Sequence, residues 1–226
     1  MIDQAQKVRE GESLDTEKLE RYLKEHLENY SEDIEISQFP GGYSNLTYLL
    51  TIGEKEYVLR RPPFGANIKS AHDMGREYRV LSALKPVYGQ VPQPILYCED
   101  ESIIGAPFYL MERVKGIILR NKPPQGLELT PERMRGISEA AVDNLADLHS
   151  LDLEQSGLIS MGKPKGYMQR QVSGWIKRYY RTKTDKITGM DRAARWMQEN
   201  QPAESAVAFI HNDYKYDNLV LDPDDP

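Results

Sequence analysis

The feature that most constrains this chain is a polar loop between two short apolar runs near its end. The runs cover residues 206–210 and 219–221, and each predicts a short buried strand. Between them, His211, Asp213 and Asn218 follow the spacing H-x-D-x-x-x-x-N. A carboxylate in such a loop can accept the proton of an attacking hydroxyl, and an amide oxygen five residues later can hold a divalent cation. The pattern favours a catalytic loop over a solvated turn.

The first third of the chain predicts an antiparallel sheet with a glycine-containing turn. Strand-like segments cover residues 34–39, 45–52 and 57–61, and the first connection contains Gly41 and Gly42. The backbone N–H groups of such a turn can lie over phosphate groups. Because two neighbouring glycines also occur in many ordinary hairpins, the turn by itself leaves both interpretations open.

A helix predicted at residues 69–85 carries a carboxylate in an apolar position. Glu77 lies inside the apolar stripe that Met74 and Leu81 help to define, rather than opposite it. A carboxylate there costs free energy unless a cation meets it. Arg60, at the end of the third strand, is the nearest candidate. The ion pair is favoured over the alternative, in which Glu77 lies at the edge of the stripe and reaches solvent.

Further elements are predicted before and after this region. A helix capped by Asp15 follows residues 1–12, which are expected to be a flexible lead-in. Two more strands follow the helix with Glu77, and the second leads into an extended linker whose free backbone groups could read an adenine edge. The predicted strands and later helices cover residues 95–99, 107–114, 130–149, 167–182 and 191–199.

Composition excludes several classes of function. The net charge is −6 and no basic stripe is present, so nucleic acid is not expected as a partner. Cys98 is the only cysteine, which excludes an internal disulfide and a cysteine-based zinc site and fits a reducing compartment. No apolar run approaches membrane-spanning length and no apolar leader opens the chain, so no membrane partner and a cytoplasmic location are expected.

Taken in order, these features resemble the aminoglycoside phosphotransferase family of kinase-like small-molecule phosphotransferases. Within it the chain is most similar to the kinase-like domain fused to acyl-CoA dehydrogenases in some organisms. The match runs from about residue 34 to the end of the chain. The segments that carry the resemblance are 39–45, 57–63, 76–81, 145–152, 170–175 and 211–218.

The resemblance implies an α+β, protein-kinase-like two-lobe fold. Residues 1–33 would form an N-terminal extension with a helix, residues 34–115 a β-rich nucleotide-binding lobe, and residues 116–226 a helical lobe with the catalytic loop. The implied activity is ATP-dependent phosphotransfer to the hydroxyl group of a small-molecule acceptor, with ATP and Mg²⁺ as cofactors.

The resemblance also implies roles for individual residues. Asp213 would be the catalytic base, Asn218 a Mg²⁺ ligand, and Lys215 a cation facing a phosphate, while His211 would order the loop. The residues assigned to nucleotide binding are Arg60 with Glu77 in place of the usual lysine pair, the Glu112 carbonyl and Val114 amide at adenine, and Gly41, Gly42, Ser44 and Asn45 over the phosphates.

The chain departs from the family pattern in three places. Arg60 replaces a lysine, and Asn212 stands where the wider family usually has glycine. A second Mg²⁺-binding aspartate is expected on a hairpin strand after the loop, but the chain ends at Pro226. The C-terminal lobe is therefore expected to be truncated and the fragment alone inactive, with weak nucleotide binding and exposed apolar surface that favours self-association. Asp222, Asp224 and Asp225 fall at the expected hairpin turn and are given no metal-binding role.

Three questions stay open at this point. A non-catalytic nucleotide-binding or interaction module of the same fold is an alternative function. A metal-dependent phosphohydrolase using His211 and Asp213 is less favoured, because the other histidines are scattered singly. The acceptor is not identified, and the basic residues of the 167–182 helix fit either a solvated face or a patch for an anionic substrate.

Overall fold

The computed structural model describes residues 2–28, 30, 33–40, 45–65, 73–120, 124, 126–204 and 206–225. The predicted turn residues Gly41, Gly42 and Ser44 and the beginning of the predicted 69–85 helix lie outside the described residues.

A five-stranded antiparallel sheet is the centre of the fold. Every strand that was predicted upstream of residue 115 is confirmed, with boundaries shifted by a few residues. The strands are β1 (Ile34–Gln38), β2 (Leu46–Ile52), β3 (Lys55–Arg61), β4 (Pro94–Cys98) and β5 (Phe108–Glu112). Their order is β1-β2-β3-β5-β4, and all neighbouring strands are antiparallel. This order places β3 beside β5, the strand that leads into the linker.

Six α-helices are described, and five of them were predicted. They are α1 (Thr16–His26), α2 (Met74–Leu84), α3 (Glu101–Ile104), α4 (Pro131–His149), α5 (Tyr167–Thr182) and α6 (Thr188–Glu199). The predicted cap is confirmed, because the Asp15 side chain accepts a hydrogen bond from Lys18 N–H. The short α3 lies between β4 and β5 and is capped by Asp100, whose side chain accepts a hydrogen bond from Ser102 N–H.

The main core lies between the sheet and α1. Leu19 and Leu23 of α1 have no exposed surface, and they join Tyr48, Leu59 and Phe108 of the sheet in one apolar cluster. The helix α2 lies against β4 and β5. This arrangement holds the helix that carries Glu77 beside the strands that flank the linker.

Two neighbouring arginines of β3 play different parts because successive strand residues face opposite sides of a sheet. Arg61 is only 2% exposed and donates from Nη1 to Ile104 O at 2.7 Å and from Nε to Pro62 O at 3.0 Å. Burial lowers the pKa of its guanidinium. Arg61 therefore fastens the end of β3 to α3, while Arg60 is directed to α2.

The N-terminal segment is packed against the sheet, so the expectation of a flexible lead-in is wrong. Gln6 and Gln38 exchange two backbone hydrogen bonds of 2.8 Å, which extends the end of β1 by one antiparallel bridge. Farther along, the Tyr48 hydroxyl donates to Glu12 O at 2.7 Å. The segment is held by these hydrogen bonds and by Val8, which packs against the main core, and none of these contacts gives a periodic apolar pattern.

The expectation of a buried strand before the catalytic loop is also wrong. Residues 206–210 have no regular secondary structure in the described chain, and Val207 is 51% exposed. A strand needs a neighbour to satisfy its backbone groups, and no described strand pairs with this run. After the loop, Leu221 alone forms an antiparallel bridge, to Ile117.

The chain divides into two compact units. Unit 1 comprises residues 1–149 and 210–226, and unit 2 comprises residues 150–209. Within unit 2, α5 and α6 contact each other, with Val172 and Ala194 buried. Unit 1 holds the sheet, α4 and the catalytic loop; the predicted lobe boundaries stay predictions. Among the described residues no helix is both long and apolar enough to cross a membrane.

Candidate active site

The predicted ion pair between β3 and α2 is confirmed. Arg60 Nη1 lies 3.2 Å from Glu77 Oε2, and each side chain is 32% exposed. The pairing arises because Arg60 ends the strand next to β5, while Asp73 caps the helix through Arg76 N–H and places Glu77 in its first turn.

Glu77 also accepts hydrogen bonds from two side chains that are almost fully buried. Asn45 Nδ2 donates to Oε1 at 2.9 Å, and the Tyr109 hydroxyl donates to Oε2 at 3.0 Å. Tyr109 lies opposite Arg60 in the register between β3 and β5. Burial is the main cause that raises the pKa of Tyr109, so its hydroxyl stays protonated as a donor. The carboxylate is thus held by Arg60 of β3, by Tyr109 of β5 and by Asn45, which directly precedes β2.

Arg60 keeps a donor that this cluster does not use. Its Nε is buried and has no hydrogen-bond partner among the described residues. Burial alone would lower the pKa of Arg60, but the nearby Tyr109 and Glu77 raise it, so the side chain remains a cation. A fixed cation with a spare N–H group is suited to an anionic ligand such as a phosphate.

The linker, defined as residues 113–120 after β5, has free backbone groups at Val114, as the sequence pattern predicted. Val114 is 47% exposed, and neither its N–H nor its C=O makes a hydrogen bond with any described residue. The Glu112 side chain is held by Lys85 Nζ at 3.2 Å and by Gln93 N–H at 2.8 Å, which fixes the start of the linker. The adenine contacts assigned to these residues stay predictions.

The predicted catalytic loop, residues 211–218, brings together the residues of the sequence motif. Asn218 Nδ2 donates to the carbonyl of Asp213 at 2.8 Å and to its Oδ2 at 2.9 Å. Lys215 Nζ lies 3.6 Å from the same Oδ2. The five-residue offset of the motif is therefore the length that closes this loop on itself, with a short 3₁₀ turn at Tyr216–Asn218. The Asn218 amide oxygen has no hydrogen-bond partner in the described part of the chain.

His211 orders the start of the loop. Its Nδ1 accepts a hydrogen bond from Asp213 N–H at 3.3 Å, and its ring meets that of Tyr214 edge-on at 5.4 Å. Partial burial lowers the pKa of His211 despite the opposing effect of Asp213. An unprotonated Nδ1 is the state that can accept this hydrogen bond, which fits the loop-ordering role expected for His211.

The backbone conformation of Asn212 explains why glycine suits this position in the family that the sequence resembles. Its φ is +66°, the only positive φ outside glycine among the described residues. Left-handed backbone costs most residues about 1–2 kcal/mol, and asparagine tolerates it better than other side chains do. The departure from glycine therefore preserves the conformation of the loop.

A chain of hydrogen bonds that sequence reasoning missed anchors the loop to α4. The Tyr214 hydroxyl donates to Ala141 O at 2.7 Å and accepts from Asn144 Nδ2 at 2.9 Å. Asn144 Oδ1 in turn accepts from the Tyr88 hydroxyl at 2.5 Å, just beyond α2. The loop and the end of α2 therefore share one support. The aromatic residue next to Asp213 was the sequence signal that could have suggested it.

Gly116 allows the linker to approach the segment after the loop. A Cβ at this position would lie 2.3 Å from Leu221 O and 2.5 Å from Val220 Cγ1. The next residue, Ile117, exchanges two backbone hydrogen bonds with Leu221, of 2.9 Å and 2.8 Å. The glycine that marked a predicted boundary is therefore a point of close backbone contact.

The structure thus places most of the predicted residues that it describes in two clusters of unit 1, while Glu112 and Val114 lie apart from both. One contains Arg60, Glu77 and Asn45, and the other contains the loop residues around Asp213. Within the described part, no group of three or more His, Cys, Asp or Glu residues could hold a metal ion. Asp222 accepts hydrogen bonds from the N–H groups of Asp224 and Asp225, as in a turn.

The chain is similar to several known proteins. The sequence model of the phosphotransferase enzyme family matches residues 35–226. Acyl-CoA dehydrogenase family member 11 of Rattus norvegicus is 39% identical over 214 residues, which are 92% of this chain and 27% of that protein. Family member 10 of Mus musculus is 38% identical over 218 residues, which are 96% of this chain and 20% of that protein.

A solved structure from Ralstonia eutropha, assigned provisionally as an aminoglycoside phosphotransferase, is also similar. It is 34% identical with a TM-score of 0.77, and the match covers 93% of this chain and 61% of that chain. The chain therefore spans about a quarter of the curated relatives and under two thirds of the solved chain. The kinase-like α+β fold class is confirmed.

Proposed function

Because the chain belongs to the phosphotransferase enzyme family, we propose that it carries the core of an ATP-dependent phosphotransferase acting on the hydroxyl group of a small molecule. The observation that carries the proposal is the presence, in one compact unit, of the Arg60–Glu77 pair and the Asp213–Asn218 loop. The first offers a fixed cation for phosphate, and the second offers a carboxylate base.

Asp213 is suited to accept the proton of the acceptor hydroxyl. Its side chain is 68% exposed, so a substrate can reach it, while Asn218 and Lys215 hold Oδ2 in place. Oδ1 makes no hydrogen bond with any described residue and is the atom proposed to take the proton. Lys215 would then stay beside the negative charge that the transferred phosphoryl group carries.

The unused polar groups of the site fit a nucleotide with its metal ion. Arg60 Nε would bind a phosphate oxygen, the Val114 backbone would bind the adenine edge, and the Asn218 amide oxygen would hold Mg²⁺. When bound, Mg²⁺ supplies charge neutralisation at the β- and γ-phosphoryl oxygens. Asn218 is one neutral ligand, so water and nucleotide oxygens would complete the coordination.

The first acceptors to test are hydroxylated acyl-CoA thioesters. The curated relatives are named acyl-CoA dehydrogenases, so this domain occurs in one polypeptide with a domain named for acyl-CoA. A second observation concerns charge: residues 163–195 contain ten Lys and Arg residues against two Asp, in a chain whose net charge is −6. Such a stretch favours an anionic ligand over the polycationic aminoglycosides.

Phosphotransfer by an Asp213→Asn variant tests the proposal. General-base catalysis contributes about 10²–10⁴-fold, so turnover should fall by that factor while ATP affinity changes little. Asp224→Asn is the matched control, because it removes the same charge from an exposed side chain just after the loop that makes no ion pair or hydrogen bond among the described residues, and it should retain turnover. ADP release should be measured both on residues 1–226 and on the protein at its native length.

Two results would redirect the proposal. Turnover of Asp213→Asn within a few-fold of the unaltered protein would exclude Asp213 as the base. Nucleotide binding without turnover at native length would favour a non-catalytic nucleotide-binding module of the same fold.

A further inference from the structure

The N-terminal strap, defined as residues 2–12, contacts the linker through Asp3. The Asp3 N–H donates to Gly116 O at 2.9 Å, and the Asp3 carbonyl accepts from Arg113 Nη2 at 3.0 Å. Its carboxylate accepts two hydrogen bonds from Arg120, of 2.5 Å and 2.9 Å. One residue of the strap therefore binds the linker at three separate positions.

The other end of the strap holds the strand that precedes the glycine-containing turn. Besides its backbone bridge to Gln6, Gln38 accepts from Arg9 N–H at 3.0 Å through its side-chain oxygen. Its side-chain nitrogen donates to Glu12 at 2.5 Å, and the residue is only 2% exposed. The strap thus runs from the linker to the end of β1.

The linker is held from two sides. Gly116 bonds to the strap, and the adjacent Ile117 bonds to Leu221 after the catalytic loop. Val114, whose free backbone groups are proposed to read adenine, lies two residues before Gly116. Fixing Gly116 therefore restricts the conformations of the Val114 backbone before any ligand binds.

We propose that the strap is a positioning element of the nucleotide site and that Asp3 is its main positioning residue. The inference rests on the proposed function. Asp3 acts through the linker and does not touch the nucleotide. A linker that is already ordered loses less conformational entropy when it binds adenine, so the strap raises affinity for the base. The phosphate-binding groups at Arg60 lie outside this effect.

A positioning role and a purely structural role predict effects on different ligands. Loosening the linker should weaken binding of ATP, which contains the base. Binding of inorganic tripolyphosphate, which has phosphates but no base, should change little. The ratio of the two affinities therefore reports the positioning role, and general loss of stability would weaken both ligands together.

The experiment compares Asp3→Ala with Glu10→Ala. Glu10 lies on the same strap, is exposed, and has no ion pair among the described residues, so its variant removes the same charge without affecting the linker. Dissociation constants for ATP and tripolyphosphate are measured by calorimetry. Asp3→Ala keeps the two backbone hydrogen bonds of residue 3 and removes the carboxylate that holds Arg120, so the strap should loosen from the linker. For this variant we expect ATP to bind about 3–10-fold more weakly and tripolyphosphate to change less than about twofold.

Arg120→Gln breaks the same ion pair from the other side and should give the same ratio, which covers the case in which Asp3→Ala does not fold. Asp3→Glu should restore most of the ATP affinity. If the unaltered protein binds ATP, two results would overturn this inference alone. One is equal weakening of ATP and tripolyphosphate binding, and the other is no change in either affinity. If the unaltered protein binds no ATP, the proposed function fails and the inference fails with it.

Discussion

Replacing Glu77 by Gln removes the charge around which the β3–α2 cluster is built while keeping the shape of the side chain. Arg60 would lose its counter-charge, and Tyr109 and Asn45 would donate to a neutral amide instead of a carboxylate. One orientation of the amide would also place an NH₂ group against donors. The substitution therefore isolates the electrostatic part of the cluster.

The size of the effect follows from the exposure of the pair. Breaking a fully buried ion pair costs about 3–5 kcal/mol, whereas an exposed pair contributes about 0–1 kcal/mol. Because both side chains are 32% exposed, an intermediate value applies. Hydrogen bonds to a charged acceptor exceed those to a neutral one by about 1 kcal/mol, which concerns the buried Tyr109 hydroxyl. We expect the free energy of unfolding of unit 1 to fall by about 2 kcal/mol.

Urea unfolding at pH 7, followed by far-UV circular dichroism, measures this loss. Both tryptophans, Trp175 and Trp196, lie in unit 2, so their fluorescence records that unit in the same titration. Glu20→Gln is the control, because its 2.7 Å ion pair with Lys24 joins two residues of one helix, and although Glu20 is 22% exposed, its lysine partner is 54% exposed. This control should cost less than about 0.5 kcal/mol. If both variants lost the same small amount of unfolding free energy, the cluster would not stabilise unit 1 and the reasoning would be refuted.

Two other predictions concern the loop and the strap. Asn212→Gly should leave stability and turnover nearly unchanged, whereas Asn212→Val should cost about 1–2 kcal/mol or more, because a branched side chain fits poorly at a φ of +66°; equal unfolding midpoints for the two variants would contradict the backbone explanation. The hydrogen bond from Gln38 is the main cause that lowers the pKa of Glu12 below 4.5, so its stabilising contribution is present above that pH and is lost as the pH falls through the lowered value. Unfolding between about pH 6 and pH 3 should therefore depend less steeply on pH in Glu12→Gln than in the unaltered protein, and parallel curves would show that Glu12 does not contribute.

Local pattern was sufficient for most of the secondary structure and for one tertiary contact. Strands and helices were predictable because apolar residues at spacings of two or about 3.6 mark the buried face of each element. The Arg60–Glu77 pair was predictable for a different reason. A carboxylate inside an apolar stripe requires a cation, and few cations precede it in a suitable position.

The polar groups of the loop were also predictable from the sequence, because they lie within eight residues of each other. Asp213, Lys215 and Asn218 meet through the local geometry of one turn. Even the left-handed backbone at Asn212 is a local property. In contrast, the buried strand expected before the loop was wrong, because an apolar run becomes a strand only beside a partner strand.

Tertiary structure alone decided the supports of the site. Tyr109 and Gly116 stand in the sequence as an ordinary aromatic residue and an ordinary glycine, and nothing in their neighbours marks their partners. Asp3 and Arg120 are 117 positions apart, yet they hold each other and the linker. Hydrogen bonds between such distant residues leave no periodic signal, since their geometry exists only after the chain has folded. For that reason the polar N-terminal strap resembled a flexible segment in the sequence, whereas its contacts with Gln38, Gly116 and Arg120 make it an ordered part of the fold.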